Sequence, residues 1–171
     1  NIESLVIDAD EDLLECINIL ASKFHLKIKT RRVDIRKEKF LGEKFIGFLA
    51  NPIYTELGVK TFVQYGKNQL SKDGGVVFLE LGDESIGNRF LFLQEFFAKN
   101  NLVINELTRR EIFYPYIELY EEDKEILRRL TSMGIDEKII KNSPKLAASL
   151  YIFQYIPFKP KKIQFKKPIY A

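Results

Sequence analysis

The chain predicts an α/β or α+β fold in a single domain, with a mixed sheet, a central buried helix and a helical C-terminal third. Three observations carry this. Short apolar runs of strand length are interspersed with stretches whose apolar residues recur at helical spacing. The segment Gly75–Glu106 holds a strand, a turn, an almost wholly apolar helix and a second strand in close succession, which implies a right-handed crossover. Beyond Glu106 the signals are mainly those of helices. With 171 residues, 46% hydrophobic and 13% aromatic, the chain can fill one core, and residues 1–156 are read as that domain.

Ser4–Ile7 is the first strand candidate. An acidic turn, Asp8-Ala9-Asp10-Glu11-Asp12, follows it, and Leu13, Cys16, Ile17, Leu20 and Phe24 then recur at helical spacing. From Leu26 the period becomes two, so Lys27, Lys29 and Arg31 line one face of a strand. Residues 36–44 are polar and read as a loop. Phe45–Ala50 is a strand closed by the turn Asn51-Pro52. Over 53–70, Val59, Thr61, Val63 and Tyr65 alternate with Lys60, Phe62 and Gln64. Gly58, Gly66 and the β-branched residues favour a meander over a helix there, with Gly66–Gly75 as a loop.

Val76–Leu81 is the central strand, and Gly82–Asn88 is a turn at its carboxyl end, where α/β sheets hold ligands. Within Arg89–Lys99 the strongly polar interior positions are Gln94, Glu95 and Lys99, so a helix there must be buried on more than one side. Leu102–Ile104 reads as the next strand and Glu111–Tyr120 as extended chain interrupted by Pro115. Acids at Glu121-Glu122-Asp123 and arginines at 128 and 129 mark a helix with correctly signed ends. Asp136 caps a short helix, and Ser143-Pro144 open a third that uses Leu146, Leu150 and Phe153. The prolines and lysines of 157–171 predict an extended basic tail or linker.

A net charge of +3 argues for no partner class by itself, but its distribution is uneven: residues 1–22 carry acids and no Lys or Arg, whereas 23–44 are strongly basic. One cysteine excludes an internal disulfide and a multi-cysteine zinc site. Cys16 reads as a buried hydrophobe and His25 as a surface or joint residue. The apolar runs are far shorter than a bilayer span of roughly 20 residues and no leader opens the chain, so a cytoplasmic protein without a membrane partner is expected.

The basic strand face, Lys27, Lys29, Arg31 and Arg32, and the tail residues Phe158, Lys161, Lys162, Phe165, Lys166 and Lys167 could follow a phosphate backbone and stack on bases. The tail could equally add as a strand to a partner's sheet. The expectation is a non-catalytic binding domain for nucleic acid or a partner protein, with no cofactor.

Two resemblances give enzyme alternatives. The turn from Glu80 to Asn88, after a strand and opening a helix, resembles the cofactor-binding turn of S-adenosylmethionine-dependent methyltransferases, and Glu106 resembles the acid that holds the ribose hydroxyls. The resemblance covers about thirty residues and implies cofactor contacts at Gly82, Gly87 and Glu106. It departs at Asp83, Glu84 and Ser85, which stand where a middle glycine admits the cofactor. Asp8-Ala9-Asp10 after a strand resembles the strand-end acids of Mg-dependent phosphatases of the haloacid dehalogenase type, and Gly82-Asp83 resembles their late metal motif. That likeness implies Mg²⁺ on Asp8, Asp10 and Asp83. Gly-Thr does not follow Asp10 and no second Asp follows Asp83.

Overall fold

A computed structural model describes residues 2–38, 41–115, 121–142 and 144–158. In chain order its elements are β1 (Ser4–Asp8), α1 (Glu11–Lys23), β2 (Ile28–Arg32), β3 (Gly47–Ala50), α2 (Glu56–Gln69), β4 (Gly75–Leu81), α3 (Asp83–Ile86), α4 (Phe90–Lys99), β5 (Leu102–Pro115), α5 (Glu121–Ser132), α6 (Glu137–Asn142) and β6 (Pro144–Tyr155). Strands β1 and β2 form a parallel pair joined through α1. The larger sheet has the order β3-β4-β6-β5, with β3 parallel to β4 and β6 antiparallel to both of its neighbours. The fold is therefore α/β with a mixed sheet.

Local chemistry sets the ends of α1. Asp10 is its N-cap, accepting from the amides of Asp12 and Leu13, with acids in the first turn and Lys23 in the last. The core lies between the larger sheet and helices α2 and α4. Val77, Leu79 and Leu81 on one face of β4 meet Val59 and Val63 of α2, Leu93 and Phe97 of α4, and Tyr151 and Phe153 of β6. The Phe97 and Phe153 rings sit 4.7 Å apart between centroids. Full burial of such side chains is worth about 1.5–3 kcal/mol each, so this seam holds the sheet to its helices.

Four elements differ from the sequence reading, each for a physical reason. Residues 56–69 are helical, not a meander, because the two glycines counted against a helix are its closest contacts. A Cβ on Gly66 would lie 2.5 Å from the Phe48 ring, and one on Gly58 would lie 2.5 Å from the Ile53 carbonyl oxygen. Thr55 caps this helix through the Gly58 amide.

The helix expected after Ser143 is strand β6 instead. Its alternate residues Ser149, Tyr151 and Phe153 are buried opposite Leu81, Leu79 and Val77 of β4. Two strands with unsatisfied backbone groups outweigh the Ser-Pro start signal. The C-terminal third is thus helical only as far as Asn142.

Strand β5 runs parallel to β4, as the crossover implies, since both are antiparallel to β6; but β6 separates them. Finally, α4 buries a single face. Leu93 and Phe97 are in the core, Phe90 and Phe96 pack at its margin, and Leu91 and Phe92 are exposed. Among the described residues, no helix is long and apolar enough to cross a membrane.

Alanine in place of an unconstrained helix-interior glycine gains about 1 kcal/mol. At Gly58 the overlap with the Ile53 carbonyl reverses that sign. Gly58→Ala is expected to lower stability by about 1–3 kcal/mol, measured as a reduced urea midpoint; an unchanged or raised midpoint would mean that the turn is not packed this tightly.

Candidate active site

Parallel strands deliver their following turns to the same sheet edge. Because β3 pairs with β4 in parallel, the turn Asn51-Pro52-Ile53-Tyr54 emerges beside Gly82-Asp83-Glu84. The Tyr54 ring lies on Gly82 so closely that a Cβ there would stand 2.5 Å from it. Tyr114, near the end of β5, reaches both sides of the first turn: its hydroxyl is 3.2 Å from the Tyr54 hydroxyl and accepts from the Asn51 amide.

Asp83 is the charged centre of this edge. Ser149 Oγ donates to its Oδ1 at 3.2 Å and the Tyr151 hydroxyl to its Oδ2, also at 3.2 Å, while Arg109 approaches from outside at 3.3 Å. The Asp83 side chain is 14% exposed, so the two hydroxyls and Arg109 meet a largely shielded charge. Glu84, more exposed, accepts from Arg110 Nε at 3.0 Å. The backbone amide of Arg110 donates to Ser149 Oγ, in a register irregularity between Thr108 and Ile112 where Arg110 has a φ of 53°. Ser149 therefore links the strand bulge to the carboxylate.

Two phenols here, Tyr151 and Tyr54, are raised above the usual range. Burial, then the Asp83 charge and hydrogen bond, push Tyr151 up to about 12. Burial, then its bond to Tyr114, raises Tyr54. Neutral hydroxyl donors around one carboxylate, with an aromatic ring beside it, form a surface suited to an ammonium ion: the carboxylate supplies charge and the ring face a cation–π contact.

Residues 2–154 match the branched-chain polyamine synthase A C-terminal domain. The chain belongs to that family. An uncharacterized protein of Methanocaldococcus jannaschii is 30% identical over 144 residues, covering 80% of this chain and 36% of the relative. The branched-chain polyamine synthase from Thermus thermophilus, in complex with N4-aminopropylspermidine and 5'-methylthioadenosine, has a TM-score of 0.66 at 18% identity, over 96% of this chain and 48% of that one. A Listeria monocytogenes protein assigned to the class I S-adenosylmethionine-dependent methyltransferases has a TM-score of 0.60 at 16% identity, over 95% and 48%. Both structural likenesses are likenesses of fold. The chain spans about half the length of these solved relatives and about a third of the curated one.

Membership of the branched-chain polyamine synthase A C-terminal domain family overturns the expectation of a non-catalytic nucleic-acid or partner-binding domain and favours the methyltransferase-like alternative. The basic strand face also proves to be largely neutralised: Lys29 pairs with Glu3 at 2.7 Å, Arg31 with Glu43 at 2.6 Å and Arg32 with Glu11 at 2.5 Å, leaving Lys27 as an exposed lysine at its start. Phe158 is exposed. Lys161, Lys162, Phe165, Lys166 and Lys167 lie outside the described residues.

The remaining expected site residues divide. Gly82 is in the site, whereas Gly87, with a φ of 58°, follows α3 with no neighbouring atom within 4 Å of a Cβ built on it. Glu106 is exposed in the middle of β5, opposite Ile152, and β6 stands between it and β4, so it cannot act as the acid ending a neighbouring strand. Asp8, Asp10 and Asp83 do not converge: among the described residues no three Asp, Glu, His or Cys side chains gather as a metal ion requires. Asp8 Oδ1 accepts the Asp10 amide and Asp10 caps α1. Cys16 is exposed and His25 sits at the α1–β2 joint with a φ of 52°.

Asn51, Tyr54, Tyr114, Ser149 and Tyr151 went unrecognised in the sequence. The first two carried a usable signal, an Asn-Pro turn directly after an apolar strand with Tyr two residues beyond the proline. Ser149 and Tyr151 were hidden by the helical reading of their segment.

Tyr151 yields a pH test. Its folded pKa lies above the free-phenol value of about 10, so its contribution to stability is whole below that pH and is lost as pH rises toward about 12. Urea unfolding from pH 9 to 12 should show a decline that is shallower in Tyr151→Phe; equal slopes would show that Tyr151 titrates freely.

Proposed function

We propose that this chain forms the acceptor-binding part of a group-transfer enzyme that uses an adenosyl sulfonium donor and a polyamine acceptor. The observation that carries this reading is Asp83: a shielded carboxylate, braced by neutral Ser149 and Tyr151, in a family whose solved member holds N4-aminopropylspermidine and 5'-methylthioadenosine. Removing the N4-aminopropyl group from that ligand leaves spermidine, which makes spermidine-like amines the acceptor class in this reading.

When bound, the sulfonium donor supplies an electrophilic carbon: the acceptor nitrogen's lone pair forms the new N–C bond, the C–S pair returns to sulfur as a neutral thioether, and the nitrogen sheds its proton to solvent. In this reading the chain's residues hold and orient. Asp83 binds an ammonium group of the acceptor, and the Tyr54 ring and the Asn51–Tyr114 pair border the reacting amine. On the β1–β2 side, Asp8 ends a parallel strand, a position suited to accepting ribose hydroxyls. Asp34, just beyond β2, is held well below the usual carboxylate range, chiefly by the Arg36 side-chain bonds, and so remains an acceptor at any working pH.

Calorimetric titration of the chain with spermidine and, separately, with 5'-methylthioadenosine tests this. Asp83→Asn should weaken spermidine binding by about tenfold or more, in line with about 1.5–3 kcal/mol for a hydrogen bond to a charged group. It should leave the nucleoside unaffected, and Asp8→Asn should do the converse. Spermidine binding that ignores Asp83 would contradict the proposal.

A further inference from the structure

Asp83 and Glu84 are not open carboxylates in this structure. Arg109 stands on Asp83 and Arg110 on Glu84, through two consecutive residues of β5. The arrangement depends on an irregular backbone. Pairing of β5 with β6 is regular from Glu106↔Ile152 to Thr108↔Leu150 and resumes only at Ile112↔Ala148, leaving more residues on β5 than on β6. Arg110 adopts the left-handed region at the crest, which costs a non-glycine residue roughly 1–2 kcal/mol. Its amide is fixed to Ser149 Oγ, the same oxygen that donates to Asp83. Bulges of this kind re-aim side chains beside active sites.

Both guanidiniums lie on the solvent side of their partners. The Arg109 and Arg110 side chains are 68% and 62% exposed, against 14% for Asp83. Exposed ion pairs hold weakly, by about 0–1 kcal/mol, and 3.3 Å from Arg109 to Asp83 is a loose contact.

We infer that Arg109 and Arg110 are specificity-determining residues: they occupy Asp83 and Glu84 as internal cations and admit an acceptor able to replace both guanidiniums, a polyamine in preference to a monoamine. A monoamine displaces one arginine and remains beside the other, so its gain is offset by like-charge repulsion. A spermidine-like cation supplies positive charge to both acids and frees both arginines to solvent. This inference rests on the polyamine reading of the site.

The test compares spermidine with propylamine on the full 171-residue chain and on a double variant, Arg109→Ala with Arg110→Gly. Glycine at 110 keeps the left-handed backbone that alanine would strain. Removing both arginines relieves spermidine of two displaced pairs, worth up to about fivefold each, and propylamine of one displaced pair and of the repulsion from the other arginine. If the two arginines set specificity, that repulsion exceeds one pair, so propylamine should tighten by more than spermidine does. The variant's preference for spermidine over propylamine should therefore fall, by a factor of about two or more. Unchanged preference, or spermidine binding that weakens in the variant, would overturn the inference while Asp83→Asn still weakens spermidine binding to the chain. Failure of Asp83→Asn to matter would remove the polyamine reading and this inference together. Melting curves for the variant identify a loss of folding. In that event the single substitution Arg110→Gly, which removes the arginine left beside a monoamine on Asp83, carries the same comparison, with the preference for spermidine expected to fall and no change overturning the inference.

Discussion

The insertion of β6 between β4 and β5 is the constraint from which the site follows. Its register sets Ser149 opposite Leu81, at the end of β4, and Tyr151 opposite Leu79. Those two hydroxyls are thereby carried to Asp83, the first residue of α3. The same strand anchors the Arg110 amide on its other side. A slip of one residue would turn Ser149, Tyr151 and Phe153 to the opposite face, removing the Phe97 contact and both donors at once. Core packing and site geometry are therefore one interaction seen from two ends.

Two further approaches complete the edge. Close contacts at Gly58 and Gly66 bring α2 down on Ile53 and Phe48, which sets the turn holding Asn51 and Tyr54. Gly82 then accepts the Tyr54 ring where any side chain would collide with it. Asp83 is thereby met by the Ser149 and Tyr151 hydroxyls, and burial raises the Tyr54 and Tyr151 phenols above the usual range. Such a surface can take up an ammonium ion without moving a proton of its own.

Much of this was legible in the sequence where local signals and tertiary context agree. The acidic first turn and Asp10 specified α1, the Val76–Leu81 run specified β4, and signed ends specified α5. The Gly82–Asn88 turn was singled out for a nucleoside or a metal ion, with Asp83 read as an obstacle to the first and a ligand of the second; the Ser149 and Tyr151 hydroxyls that meet Asp83 lie on a strand read as a helix. The failures share one cause. In α2 the glycines are contacts, and in β6 the alternation of Ser149, Tyr151 and Phe153 has meaning only beside β4. Neither fact exists until another element is present. The basic strand likewise looked like an interface because Glu3, Glu11 and Glu43, which neutralise it, are distant in sequence from the residues they pair.

The central claim is that Asp83, framed by Ser149, Tyr151 and Tyr54, is where this fold receives a polyamine. A crystal structure of the chain with spermidine addresses it most directly. The account predicts an ammonium nitrogen at about 3 Å from an Asp83 carboxylate oxygen, with Arg109 displaced outward. Spermidine seated elsewhere, for instance on the acids after β1, with Arg109 still on Asp83, would contradict it.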